Sequence, residues 1–418
     1  MSRWTSYLQR ATELVETYRG DTPLAPVLKE YFRARRQMGS TDRRTVSDLL
    51  YGYYRLGHAA PGLPLQERLL LAYWLTHREA SPLLEALRPG WAPLAGWAPS
   101  QKLEALGDDP DRAGSSDGAG AADRAGSSDG VGGAVSLADI FPWQDNLSKG
   151  IDPAALTLSY LQQPAFFIRL RPGRDADVRQ ALRQKGIAYE ETDSPDALRI
   201  PSGAALQDVF PADTAYVVQD LSSQRVGTLL GEALGRPDAT RPAPRVWDCC
   251  AASGGKSILL KDLYPDARLT VSDLRPSILH NLEKRFAAAG IRYEKAFTAD
   301  LAKPLSDPPP GAGFDLVLAD VPCSGSGTWS RTPEQLYFFT AGKIAEYARL
   351  QRAILTNVAP LVRPGGSLLL VTCSVFAEEN ESNVAFLAGQ GFDVHTQTLL
   401  TGYDRGADTL FGALLRKP

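Results

Sequence analysis

From Arg245 onward, short apolar runs alternate with amphipathic helical stretches, and no other feature restricts the fold of this chain so tightly. The strand-like runs are RVWDCC, RLTVSD, a short one near KAFTAD, FDLVLADVP and GGSLLLVTCS. Helical stretches such as RPSILHNLEKRFAAAG and GKIAEYARLQRAILTNVAPLV lie between them. Strand–helix alternation of this kind builds a mainly parallel sheet covered by helices. FDVHTQ and FGALLRK supply two closing strands. The expected fold is a doubly wound α/β domain, in which a ligand lies off the carboxyl ends of the strands.

Those carboxyl ends carry polar residues. DCCAASGGKS forms the first strand-to-helix turn, where Gly254 and Gly255 let backbone come close to a ligand and the next helix offers free N–H groups. The stretch lacks G-x-G-x-x-G spacing, and Ala251 replaces the first glycine of a phosphate loop. Alone it reads equally well as a glycine-rich turn without a ligand. The acids that follow shift the balance: Asp273 ends RLTVSD 18 residues after Gly255, Asp300 ends the third strand and Asp320 the fourth. Three carboxylates on the ligand edge suggest a nucleoside cofactor without phosphate, and S-adenosylmethionine fits that description.

Two cysteines share this edge. Cys323 lies just past the fourth strand in ADVPCSGSGTWSRTPE, with Pro322 stiffening the exit and Gly325 and Gly327 expected to let the loop approach a substrate. Cys373 closes the fifth strand and is followed at once by Ser374 and the acidic stretch VFAEENE. In a methyltransferase-like strand order the fourth and fifth strands are neighbours, which would bring both sulfurs to one place beside the first strand. A lone cysteine is ordinarily inert packing material. Two in matching strand-end positions beside Asp320 point instead to catalysis. Cys249 and Cys250 complete the set, and the absence of C-x-x-C spacing argues against a zinc site. No metal is expected, and disulfides are not expected in a reducing cell.

Upstream the chain changes character. Between Ala165 and Gln219, AFFIRLRP and ALRIPSG read as strands around the helix DADVRQALRQKG, in a small α+β unit made basic by Arg169, Arg171, Arg174, Arg179, Arg183 and Lys185. Phe166 and Phe167 read as core residues before base-stacking ones. Nearer the N-terminus the pattern is helical. TVSDLLYGYYRLG places Val46, Leu49, Leu50 and Tyr53 on one face, with Ser40, Thr41 and Asp42 as capping residues and Gly57 as a stop. ERLLLAYWLTH is a second, more buried helix. Arg33, Arg35, Arg36, Arg43 and Arg44 crowd one neighbourhood, which is either a solvated face or a phosphate-contacting patch.

Between these regions DRAGSSDG occurs twice, at Asp111–Gly118 and Asp123–Gly130, in sequence too poor in apolar residues to offset its ordering entropy. A flexible acidic linker over 106–135 is expected. The net charge of −3 hides a net of +4 over residues 1–100 and −5 over 101–150, so the overall acidity does not exclude a nucleic-acid partner. No apolar run approaches a membrane span, and MSRWTSYLQR has no apolar signal region, so a cytoplasmic protein is expected.

Together, DCCAASGGKS, DLVLADVPCSGSGTWSRTPE and VTCS resemble the signature motifs of the Sun-type (NSUN, Fmu/Sun) RNA cytosine-5 methyltransferases, and VQDLSSQ at Val218–Gln224 is similar to that family's approach to its first strand. GSTDRRTVSDLLYGYYR resembles the NusB-like helical domain of bacterial members that modify ribosomal RNA. The resemblance implies a Rossmann-like class I methyltransferase domain over 221–418, a small α+β RNA-binding unit over 136–220 and an all-α NusB-like domain over 1–105. It implies S-adenosylmethionine held by Cys250, Ala251, Ala252, Ser253, Gly254, Gly255 and Lys256, with Asp273, Asp300 and Asp320. It makes Cys373 the nucleophile and Cys323 the group assisting release, with Asp320 on the pyrimidine edge and Lys256 lining the base pocket. The implied partner is RNA, ribosomal before transfer RNA, acted on by a monomer away from any membrane. Ser253 stands where the family usually has proline, and DTLF replaces its common Asp-Gly-Phe-Phe.

A DNA cytosine-5 methyltransferase is the rival enzyme, and would make Cys323 the nucleophile. A non-enzymatic RNA-binding assembly factor would account for the basic regions but not for two cysteines among intact acids.

Overall fold

The computed structural model describes residues 2–108, 135–238, 240–305, 309 and 313–418. Both copies of DRAGSSDG, and with them nearly all of the expected 106–135 linker, lie outside the described residues. The chain forms two compact units, one of Met1–Asp145, Asp152–Gln163 and Trp329–Phe339, the other of Asn146–Ile151, Pro164–Thr328 and Thr340–Pro418.

The first unit is helical. Its helix Ser40–Arg55 buries Val46, Leu49, Leu50 and Tyr53, the face given by their spacing. The helix begins at Ser40, so Ser40 and Thr41 do not cap it as expected; Gly39 is the cap, and Asp42 accepts its N–H at 2.9 Å. Helix Leu65–Thr76 buries every residue from Arg68 to Leu75. Tyr337 packs edge-on against Tyr54 and at a tilt against Tyr53, and Phe338 edge-on against Tyr18, while Trp329 and Phe339 pack with Trp143. This aromatic packing explains why Trp329–Phe339, far along the chain, joins the helical unit, and why the units divide differently from the expected segments.

The second unit holds two sheets. The smaller contains β1 (Phe166–Leu170), β2 (Glu190–Glu191), β3 (Ala197–Ile200) and β4 (Tyr216–Val218), antiparallel in the order β2-β3-β1-β4. Helix Asp175–Gln184 lays Val178 and Leu182 on its core. Arg169 and Arg171 of this basic unit point inward rather than to solvent. Arg169 Nη1 and Arg171 Nη2 each donate to Asp262 at 2.7 Å, and Arg171 Nη1 also donates to the Asp213 and Ala289 carbonyls. They are structural, whereas Arg183 and Lys185 remain exposed.

The larger sheet contains β5 (Arg245–Asp248), β6 (Arg268–Asp273), β7 (Lys295–Thr298), β8 (Phe314–Asp320), β9 (Val362–Thr372), β10 (Asp393–Leu400) and β11 (Leu410–Arg416), in the order β10-β11-β9-β8-β5-β6-β7. From β9 to β7 the neighbours are parallel; β11 runs antiparallel to both β9 and β10. Leu316, Leu318, Leu369 and Val371 face one layer of the core, and Val317, Ala319, Leu368 and Leu370 face the other, as the two-residue strand period requires. The expected fold class is observed, with β8 at the centre of the sheet between β9 and β5. Among the described residues no helix is long and apolar enough to cross a membrane.

Candidate active site

The turn after β5 is folded by its own backbone. Ala251 N–H reaches the Ser272 carbonyl at 2.9 Å and Gly254 N–H the Ala251 carbonyl at 2.8 Å. Gly254 has φ +82°, and a Cβ there would come within 2.8 Å of Phe286, so both conformation and space demand glycine. A Cβ at Gly255 would meet nothing nearer than 3.9 Å, leaving open space over the first turn of helix Gly255–Leu263. Ser253, exposed in place of the family's proline, is held from outside: Arg285 Nη1 donates to its carbonyl at 2.8 Å and its hydroxyl at 3.1 Å while Arg285 pairs with Asp213. Upstream, Asp220 caps helix Leu221–Leu234, and Gln219 Nε2 donates to the Gly255 carbonyl at 3.4 Å. That is the work of the VQDLSSQ stretch.

Asp273 ends β6 and Asp320 ends β8, whereas Asp300, expected at the end of the third strand, lies two residues past the end of β7. Asp273 is buried, accepting Ala252 N–H at 3.1 Å and Arg275 N–H at 2.9 Å, and so ties the ends of β5 and β6 together. Asp300 accepts Ala302 N–H at 3.2 Å and pairs with the Lys303 ammonium at 2.8 Å, which holds its carboxyl below the usual range. Asp248 was not among the residues expected at the site. It ends β5, fully buried; Oδ2 accepts the Ser257 hydroxyl at 2.6 Å, while Oδ1 has no partner. Burial pushes this carboxyl up to about 7. A buried acceptor without a donor, beside an open glycine turn, fits a ligand that brings a cationic hydrogen-bond donor. The residue type was visible in DCCAASGGKS, but its orphaned oxygen was not.

On the other side of the same edge, the Sγ atoms of Cys323 and Cys373 lie 3.1 Å apart, both half-buried. Lys256 Nζ lies 2.6 Å from Asp320 Oδ2. Burial pulls the Lys256 ammonium down, but the charges of Asp320, Cys373 and Asp248 outweigh it and leave Lys256 firmly protonated. The hydrogen bond to Cys373, burial and the charges of Cys373 and Glu379 push the Cys323 thiol well up. Parallel pairing of Asp320 with Val371 is what brings the two strand ends, and hence the two sulfurs, together. Cys250 is half-buried against the core behind the turn, and Cys249 is fully buried.

Gly327 does something other than admit a substrate. Its N–H donates to the Cys373 carbonyl at 2.8 Å and its carbonyl accepts Thr409 N–H at 2.9 Å. A Cβ there would sit 1.9 Å from the Thr409 carbonyl oxygen. The glycine lets the loop approach the protein's own backbone, at the DTLF stretch that departs from the family pattern.

The strand order and the acids along its carboxyl edge define a class I methyltransferase fold. It is shared with the solved protein PH0851, with a TM-score of 0.65 at 19% identity over 99% of this chain and 98% of that one. It is shared also with NSun6 from Pyrococcus horikoshii, solved with SFG, with a TM-score of 0.51 at 18% identity over 61% of this chain and 91% of that one. Residues 239–402 match the family described as 16S rRNA methyltransferase RsmB/F. It is 31% identical over 236 residues to the probable ribosomal RNA small subunit methyltransferase B of Synechocystis sp., covering 55% of this chain and 51% of that protein. The chain spans about half the length of the curated relatives it matches.

Proposed function

We propose that this chain methylates carbon 5 of a cytosine in RNA, small-subunit ribosomal RNA before transfer RNA, using S-adenosylmethionine and a covalent bond from Cys373. The observation that carries the reading is the sulfur pair, with one thiol held protonated and a lysine–aspartate pair beside it.

The cofactor fits the turn from Cys250 to Lys256. The unpartnered Asp248 oxygen offers an acceptor to its ammonium group, and Asp273, with lone pairs to spare beyond its protein donors, offers acceptors to ribose hydroxyls. Asp300 lies further along the same edge. When bound, S-adenosylmethionine supplies an electrophilic methyl group.

The residues explain why a thiol is needed. Carbon 5 of cytosine is a weak nucleophile; addition of the Cys373 thiolate at carbon 6 makes an enamine in which carbon 5 is reactive. Asp320, steadied by Lys256, hydrogen-bonds the pyrimidine edge and supports its protonation. After methylation the carbon 5 proton must leave so that the Cys373 sulfur can be eliminated. Cys323, whose Sγ lies 3.1 Å from that of Cys373, assists this release. The target base must be single-stranded or flipped out to reach the edge. The exposed Arg33, Arg36 and Arg44, with Arg183 and Lys185, supply the phosphate contacts.

Methyl transfer to a small-subunit ribosomal RNA transcript tests the reading. Cys373→Ala abolishes methylation and forms no adduct, whereas Cys323→Ala accumulates a protein–RNA adduct that survives denaturing electrophoresis. The opposite pattern, or transfer to DNA in preference to RNA, overturns it.

A further inference from the structure

We propose that Glu379 is a positioning residue that sets the separation of the two cysteines. The inference rests on the two-cysteine reading above. Glu379 is fully buried in the loop after Cys373. Its Oε2 accepts the Ser324 N–H at 2.9 Å and Gln351 Nε2 at 2.8 Å, and its Oε1 accepts the Ser374 hydroxyl at 2.6 Å. Ser324 adjoins Cys323 and Ser374 adjoins Cys373, so one carboxylate spans both sulfur-bearing segments.

The far flank of each cysteine is tied to the same cluster. Gln351 Nε2 also donates to the Pro322 carbonyl at 2.9 Å, just before Cys323. Asn380, next to Glu379, accepts the Thr372 hydroxyl at 2.5 Å and donates to the Ser374 carbonyl at 2.9 Å, on either side of Cys373. Asn383 Nδ2 completes the ring, donating to Gln351 Oε1 and to the Glu379 carbonyl, both at 2.7 Å. All three donors to the Glu379 carboxylate are neutral. Burying a carboxyl group among neutral partners is a costly way to fill a core position. What it supplies here is a span of fixed length between two segments whose sulfurs are 3.1 Å apart. The acidic stretch that follows the nucleophile strand thus has a task.

The span can be shortened while a carboxyl group is kept. In Glu379→Asp the carboxylate is one methylene short and cannot reach both segments. Glu379→Gln keeps the length, its carbonyl accepting from Ser324 and Gln351 and its amide donating to the Ser374 oxygen. With the full chain, S-adenosylmethionine and a small-subunit ribosomal RNA transcript, Glu379→Asp lowers turnover roughly 10²-fold with KM for RNA and cofactor affinity unchanged. It also accumulates the denaturation-resistant adduct seen with Cys323→Ala, because release is impaired. Glu379→Gln recovers most of the turnover. If Glu379→Asp does not fold, Ser374→Ala cuts one arm of the span and gives the same adduct. Activity lost only in proportion to folded protein, without adduct, overturns the proposal, as does better rescue by Asp than by Gln. If Cys323→Ala traps an adduct while neither Glu379→Asp nor Ser374→Ala does, the role of Glu379 alone is refuted. If Cys323→Ala traps nothing, the covalent reading falls, and this inference with it.

Discussion

Lys256 Nζ lies 2.6 Å from Asp320 Oδ2, joining the turn after β5 to the end of β8 across the centre of the sheet. Both side chains are largely removed from water, so the pair orients two groups that would otherwise need solvent. Lys256→Met leaves Asp320 without its cation and is expected to lower the methyl-transfer rate by roughly 10²-fold with the protein still folded. Single-turnover transfer with circular dichroism as the folding control checks this; an unchanged rate would show that the pair is only structural.

Asp273→Ala removes an acceptor that already holds Ala252 and Arg275. Affinity for S-adenosylmethionine is expected to fall by about 1–3 kcal/mol, the scale of a hydrogen bond to a charged group and its desolvated partner. Isothermal calorimetry measures it directly. Unchanged affinity would place the ribose elsewhere.

Arg169 and Arg171 both donate to the buried Asp262 carboxylate. Asp262→Ala strands two guanidinium groups in the core and is expected to cost about 3–5 kcal/mol in urea denaturation. Replacing Arg171 by Met, in protein that still folds, should leave the salt dependence of RNA affinity unchanged, because this arginine is turned to Asp262 rather than to phosphate. A flattened salt slope would return it to the RNA surface.

Burial pushes the Asp248 carboxyl up to about 7, although its hydrogen bond from Ser257 pulls the other way. In the unfolded chain the group ionises near its ordinary value of 3.8, so between there and about 7 the folded state holds a proton that the unfolded state has lost. The contribution to stability is complete below the lower value and is lost as pH rises through the window. Melting temperatures of the wild type and Asp248→Asn, compared between about pH 5 and pH 8, should show the wild type losing ground as pH rises. Parallel curves would mean that Asp248 is already ionised in the fold.

By itself the sequence determined the alternation of strands and helices, because the period of apolar residues is a local property: RLTVSD is β6 to the residue, and the buried face of helix Ser40–Arg55 is the one its spacing marks. It also marked Asp273 and Asp320 as strand ends and Cys373 as the residue next to one, while Asp300 and Cys323 fall in the loops just beyond β7 and β8. Charge, by contrast, carries no address. Arg169 and Arg171 look the same in sequence as Arg183 and Lys185, and only the docking of β1 against Asp262 turns the first two inward. The glycine of GSG likewise reads as freedom for a ligand until the approach of Thr409, 82 residues later, fills that space. Tertiary structure alone decided that the sulfurs meet, that one Asp248 oxygen is left unpartnered, and that Glu379 spans both cysteine segments. Each depends on atoms brought together across the sheet by burial, and a buried group's neighbours are set by packing rather than by its place in the chain.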